Sequence, residues 1–179
     1  MHGIIFDEIR AFANEKMGEG GWEKLLDAAG LSGKSYEGIQ AYPDEEAVAL
    51  VGAAADALGA SIPEALEVFG THIVPPLASL AAPLLDPDWR TVDVIHHTED
   101  TVHAVVRLDN PGAEPPQLRT ERISAQEVHL TYSSGRKMCH LAVGIAKGLA
   151  AHFGETITIT HDTCMHQGDD HCLIKVRSE

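Results

Sequence analysis

The chain changes character once, at Asn110-Pro-Gly-Ala-Glu-Pro-Pro, and this change constrains the fold more than any other feature. Three prolines and a glycine in seven residues cannot continue a helix or a central strand. Before this turn, apolar residues recur at helical spacing. After it, they alternate. Helices first and then strands around one helix give an α+β class, with an N-terminal helical part followed by a four-stranded antiparallel sheet with helices.

In the first part, Ile5, Phe6, Ile9, Phe12 and Ala13 mark a helix from Gly3 to Met17. Trp22, Leu25, Leu26 and Ala29 mark a short second one, stopped at Gly30 by a left-handed cap. Tyr42-Pro-Asp-Glu-Glu opens a third, with Asp44 as N-cap, and Ser61-Ile-Pro-Glu caps a fourth. Pro75, Pro76, Pro83 and Pro87 predict bends and short turns between Ile73 and Asp88. Val92, Ile95, Val102, Val105 and Val106 predict one helix over 91–107, although β-branched residues weaken it. Beyond the turn, Gln117 to Ile123 and Glu127 to Tyr132 read as a hairpin, and Met138 to Phe153 reads as a helix. Strands at 156–160 and 172–176 flank the Gly168-Asp-Asp turn.

At 179 residues, one domain is expected, divided into parts 1–65 and 66–179. Thirteen Lys and Arg against 27 Asp and Glu give a net charge of -14, which repels nucleic acid and anionic lipid. No apolar run approaches the ~20 residues of a membrane span, and acidic residues interrupt the N-terminus too early for a secretory signal. A cytoplasmic location follows as the expectation. Three cysteines, Cys139, Cys164 and Cys172, do not make a disulfide framework in a reducing compartment.

These cysteines suggest other chemistry. Cys164 and Cys172 bracket the Gly168-Asp-Asp turn, and Cys139 opens the helix after Arg136. With His161 they form a tetrahedral zinc set, although no Cys-x-x-Cys pair is present. His166 or His171 could replace His161. The plain alternative is three cysteines acting as small hydrophobes.

Tyr132-x-Ser134-x-Arg136 carries a guanidinium and two hydroxyls, the donors that hold a carboxylate. On an extended strand end they would point to one side. This triplet resembles the signature of the haem nitric oxide and oxygen binding (H-NOX) family, stand-alone bacterial type. The likeness extends to Met1-His-Gly-Ile-Ile-Phe, Gly21-Trp-Glu-Lys-Leu-Leu, Tyr42-Pro-Asp-Glu-Glu and Phe69-Gly-Thr-His-Ile-Val-Pro-Pro-Leu, in the family's order.

The resemblance implies a haem b held between the two parts, with Tyr132, Ser134 and Arg136 on its propionates. It implies His103 as axial iron ligand, since the run from His103 to the proline turn is similar to the family's proximal segment; His96 and His97 compete. Ile5, Ile9, Leu77, Pro116, Leu141 and Ile145 would line the haem. Leu141 stands where oxygen-binding members carry a tyrosine, so nitric oxide and carbon monoxide are the expected ligands. A bistable haem shape would couple ligand binding to motion of the His103 helix.

The C-terminal cysteines are similar to a redox-responsive zinc centre in some members. The family's usual partners are histidine kinases and cyclic di-GMP enzymes (diguanylate cyclases and phosphodiesterases), and an output through such a partner is expected, because no kinase, cyclase or DNA-binding segment is recognised. The expected role is a sensor in signal transduction and not an enzyme. Two other classes compete: a haem-free zinc-thiolate redox module, and a haem enzyme such as a peroxidase. The second lacks a distal His and Arg pair.

Overall fold

The computed structural model describes residues 1–110 and 113–179 and consists of two compact units, Met1–Phe69 and Gly70–Glu179. Pro111 and Gly112 of the predicted turn lie outside the described residues.

The first unit is helical: α1 (Gly3–Met17), α2 (Gly21–Ala28), α3 (Asp44–Leu58) and the start of α4 (Ile62–His72). Phe6, Leu25 and Leu50 are fully buried in it. Phe6 stacks on Tyr36 with ring centroids 4.2 Å apart, and Tyr42 meets both rings edge-on. Gly30 stops α2 as predicted, at φ 71°, with Leu31 N–H on the Leu26 carbonyl and Gly30 N–H on that of Asp27. Ser61 and Glu64 cap α4 reciprocally: Ser61 N–H donates to Glu64 Oε2 at 2.9 Å and Glu64 N–H to Ser61 Oγ at 3.4 Å.

Asp44 is not the N-cap of α3. Pro43 takes that place in an extended conformation, and Asp44 is the first helical residue. Its carboxylate holds the Met1 amino group at 2.6 Å while Glu45 and Glu46 share the first turn with it, where the helix dipole favours negative charge.

The second unit contains α5 (Val74–Ala81), α6 (Thr91–His97), α7 (Ala104–Asp109), β1 (Gln117–Ser124), β2 (Glu127–Ser133), α8 (Cys139–Phe153), β3 (Ile157–Thr163) and β4 (Cys172–Ser178). The strands form one antiparallel sheet in the order β1-β2-β4-β3. The predicted alternation is realised on β2, where Val128, Leu130 and Tyr132 point inward. They pair in register with Val176, Ile174 and Cys172 of β4, all three fully buried. Such directly opposed apolar pairs are the main stabilising unit of a sheet. Helices α6 and α8 cover this face.

Small residues set how closely the helices approach. A Cβ on Gly70 would fall 2.5 Å from the Leu141 carbonyl oxygen, and one on Gly148 2.5 Å from a Val74 methyl. Gly70 at the end of α4 and Gly148 on α8 therefore let the backbones lie almost in contact.

Two helical expectations need correction. Pro75 and Pro76 do not break the chain after Ile73: they sit in the first turn of α5, where the missing N–H has no helical acceptor to lose. The second is the predicted single helix over 91–107. It is interrupted by a π-helical turn at Glu99–His103, where His103 N–H reaches the Thr98 carbonyl at 3.0 Å, five residues back. Thr98 and Thr101 Oγ1 each donate to the carbonyl four residues earlier at 2.6 Å, a bond that bends helices.

Among the described residues, no single helix is long and apolar enough to cross a membrane, and α3 and α4 meet at 101°.

Candidate functional site

His103 closes the π-turn. Its Nδ1 lies 2.9 Å from Glu99 Oε2. A carboxylate only accepts, so Nδ1 carries the proton and Nε2 presents its lone pair, the form a metal requires. Burial pushes the His103 pKa down, against the upward pull of Glu99. The Glu99 carboxylate is itself lowered: burial pushes it up, but hydrogen bonds from His103 and Arg107 outweigh that. Arg107 Nη2 sits 2.5 Å from Glu99 Oε1.

The competing histidines are engaged elsewhere. His97 stacks on Trp89 at 4.3 Å, and His96 Nδ1 is 3.0 Å from Thr120 Oγ1. Neither Glu99–His103 nor α7 contains a fully buried residue, and Val102, His103, Val105 and Val106 are all half-buried. An apolar stretch left short of burial around a neutral imidazole fits a large flat apolar cofactor.

Tyr132 lies on β2, but Ser134 and Arg136 do not continue the strand. β2 ends at Ser133, and a turn follows in which Lys137 N–H bonds the Ser134 carbonyl and Lys137 takes φ 52°. The triplet is thus gathered by a turn and not by strand alternation. The buried Tyr132 hydroxyl is within hydrogen-bond reach of Ser134, and burial raises its pKa above the usual phenol range. Arg136 N–H donates to Ser134 Oγ at 3.3 Å, and its guanidinium bonds the Glu114 carbonyl. One charge and two hydroxyls within five residues suit a carboxylate ligand such as a propionate.

The expected lining residues fall in both units. In the first, Ile9 lines an apolar recess with Phe12, Leu50, Val51, Ala54, Ala65, Leu66 and Phe69, while Ile5 is half-buried outside it. In the second, Leu77 on α5, Pro116 before β1, and Leu141 and Ile145 one turn apart on α8 are all half-buried. The three tyrosines are committed: Tyr36 donates to Glu46 at 2.6 Å, Tyr42 accepts from Glu37 N–H at 2.6 Å, and Tyr132 faces Ser134.

The description Haem-NO-binding matches residues 2–161. The chain belongs to this family. The H-NOX protein of S. oneidensis in its Fe(II)NO state superposes with a TM-score of 0.92 and 28% identity, covering 100% of this chain and 99% of that one. The NMR structure of an S. oneidensis H-NOX domain in the Fe(II)CO state gives 0.88 and 28%, covering 100% and 99%. A soluble guanylate cyclase of Caenorhabditis elegans is 24% identical over 170 residues; these are 90% of this chain but only 24% of that relative's length. Haem is the cofactor named in that family description.

A second cluster lies at the N-terminus of α8. Cys139, Cys164 and Cys172 are buried free thiols. Cys139 and Cys164 Sγ are 3.8 Å apart. This equals the edge of a tetrahedron with metal–sulfur bonds of about 2.3 Å. His161, whose Nε2 is buried, and His140 bring ring nitrogens to the same place: the ligand atoms of Cys139, His140, His161 and Cys164 all lie within 4.8 Å of one another. Cys172 Sγ accepts from Met165 N–H at 3.3 Å and is hydrogen-bonded with Cys139. Burial and the neighbouring thiols hold the Cys139 pKa far above its usual value, and burial raises that of Cys172.

His140 is absent from the sequence-based set. Its signal was adjacency to Cys139, which reads as chance until β3 brings His161 to within 5.4 Å of its ring. Of the two alternatives to His161, His166 bonds the Lys137 carbonyl at 2.6 Å and His171 is exposed. Glu99 was also missed, although its spacing of four residues from His103 is a helical pairing signal.

Proposed function

We propose that this chain is a haem-based sensor of nitric oxide and carbon monoxide, with His103 as the axial ligand and Tyr132, Ser134 and Arg136 on the propionates. The observation that carries this reading is the His103 ring, held through Nδ1 by Glu99 so that Nε2 is presented as a ligand. When bound, the haem iron supplies an open coordination position for a diatomic gas. His103 would hold the iron, the Arg136 turn would hold the propionates, and Leu77, Pro116, Leu141 and Ile145 would exclude water. Leu141 offers no hydrogen bond to a bound gas, and the commitments of Tyr36, Tyr42 and Tyr132 support the same ligand preference, since bound dioxygen is the ligand that most needs a donor.

The first test replaces His103 with Gly and records the ferrous Soret spectrum with and without imidazole. Loss of the five-coordinate spectrum and its return with imidazole are expected. An unchanged spectrum would sink the assignment. A ferrous dioxygen complex stable in air would overturn the gas preference.

The thiol cluster supports a second input. The reading is a zinc ion held by Cys139, His161, Cys164 and Cys172, with His140 as rival for the fourth place. Its chemistry is that of a site whose thiolates lose the metal on oxidation. Metal analysis checks it: about one zinc per chain is expected, falling sharply in Cys164→Ala. Output through a cytoplasmic histidine kinase or a cyclic di-GMP enzyme fits the family; that of the Caenorhabditis elegans relative is a guanylate cyclase. Coupled kinase or cyclase assays with and without nitric oxide decide between them.

A further inference from the structure

Glu99 does more in this structure than pair with a neighbouring histidine. Its carboxylate collects three donors: His103 Nδ1 at 2.9 Å, Arg107 Nη2 at 2.5 Å and the backbone N–H of Leu118 at 3.3 Å. The first two come from the same helical run. The third comes from the start of β1, so Glu99 is fixed from two elements. A simple exposed helix pair of the i, i+4 kind would need neither the third donor nor a side chain only 25% exposed. The segment that supplies Leu118 also supplies the Glu114 carbonyl to the Arg136 guanidinium. Residues 114–118 therefore touch both the Glu99–His103 pair and the propionate turn.

The geometry points to Glu99 as a positioning residue for the axial ligand, setting the tautomer, orientation and donor strength of His103, with Arg107 as a counterweight. The inference rests on His103 being the axial ligand. A carboxylate accepting from Nδ1–H gives the imidazole partial imidazolate character and makes Nε2 a stronger donor. Arg107 shares the carboxylate and draws negative charge from it, which weakens that push. The two residues thus act on the same bond with opposite signs. Arg107 is 40% exposed, so it is also the contact that a change at the surface could release.

The experiment measures the iron–histidine stretching band by resonance Raman in the ferrous haem protein, with the rate of haem transfer to an acceptor globin as second readout. Glu99→Gln keeps an acceptor but removes the charge, and the band is expected at lower frequency than in the native protein. Arg107→Ala is expected to move it to higher frequency. Haem loss from Glu99→Ala is expected to be on the order of 10- to 100-fold faster, the usual effect of deleting the partner of a metal-bound histidine.

A purely structural role for Glu99 would not shift the band in opposite directions in two variants, and the Arg107 arm stands alone if Glu99→Gln fails to fold. Unmoved bands in both variants, alongside a band abolished in His103→Gly, would overturn the inference and leave the axial ligand standing. A band that persists in His103→Gly would overturn the axial ligand itself and the inference with it.

Discussion

The two units of this chain use their buried polar groups differently. In Met1–Phe69, they close on one another: Tyr36 donates to Glu46, Lys34 holds the other Glu46 oxygen at 2.5 Å, and the Phe6, Tyr36 and Tyr42 rings pack above. In Gly70–Glu179, they gather at three places to which we assign ligands: around His103, at the Arg136 turn and among three buried thiols. The first unit is built as a wall and the second as a set of sockets. Closed polar networks reward rigidity, while sockets leave a donor set whose full stabilisation arrives only with its ligand.

The largest test of this contrast is core truncation. Ile174→Ala in the sheet and Leu25→Ala in the helical unit each remove a fully buried side chain and should cost about 2–5 kcal/mol in denaturant melts. The units should differ in a second readout. Ile174→Ala is expected to speed thiol labelling, because Ile174 faces Leu130 beside the Tyr132–Cys172 pair, and Leu25→Ala to leave it unchanged. Equal labelling in the two would erase the distinction.

Tyr36→Phe comes next. It removes a hydrogen bond to a charged acceptor, for which about 1.5–3 kcal/mol is usual, reduced here because Glu46 keeps Lys34. Ser61→Ala deletes the α4 cap and should cost about 1 kcal/mol, read as a lower Tm.

The smallest effect is the response to acid, and its order sharpens the comparison. Burial holds His103 neutral in the folded haem-free protein, while the unfolded chain takes up a proton near the ordinary histidine value of 6.5. Stability of the second unit should therefore be lost as pH falls through and below that value. In the first unit, hydrogen bonds from Lys34 and Tyr36 lower the Glu46 pKa. The stability they provide is present above the ordinary carboxylate value of 4.5 and is lost as pH falls through the depressed one. Hydrogen exchange followed against pH should show the second unit loosening first. The reverse order would break the contrast.

Much of this was legible in the sequence for a physical reason. Helix faces, the Gly30 stop and the Val128, Leu130, Tyr132 alternation are local patterns, written by residues within a few positions of each other. The H-NOX signature was legible as a resemblance. What stayed hidden depends on distant or non-standard geometry. The pairing of β2 with β4 joins residues about forty to fifty positions apart, the Arg136 turn needs a left-handed Lys137, and His140 gains meaning only when β3 arrives. The π-turn was masked because valines and threonines fit a helical period without revealing that one carbonyl is skipped.

That skipped carbonyl has a genetic consequence. A π-turn is an α-helix carrying one surplus residue, and each residue of a regular helix advances its face by about 100°. Losing a single codon between Thr98 and Ala104 would restore the regular α-helical bonds and either remove one of the Glu99–His103 pair or cut their spacing from four residues to three. Helices elsewhere in the chain would be damaged by such a deletion; this one would become regular and give up the spacing that sets Glu99 against His103.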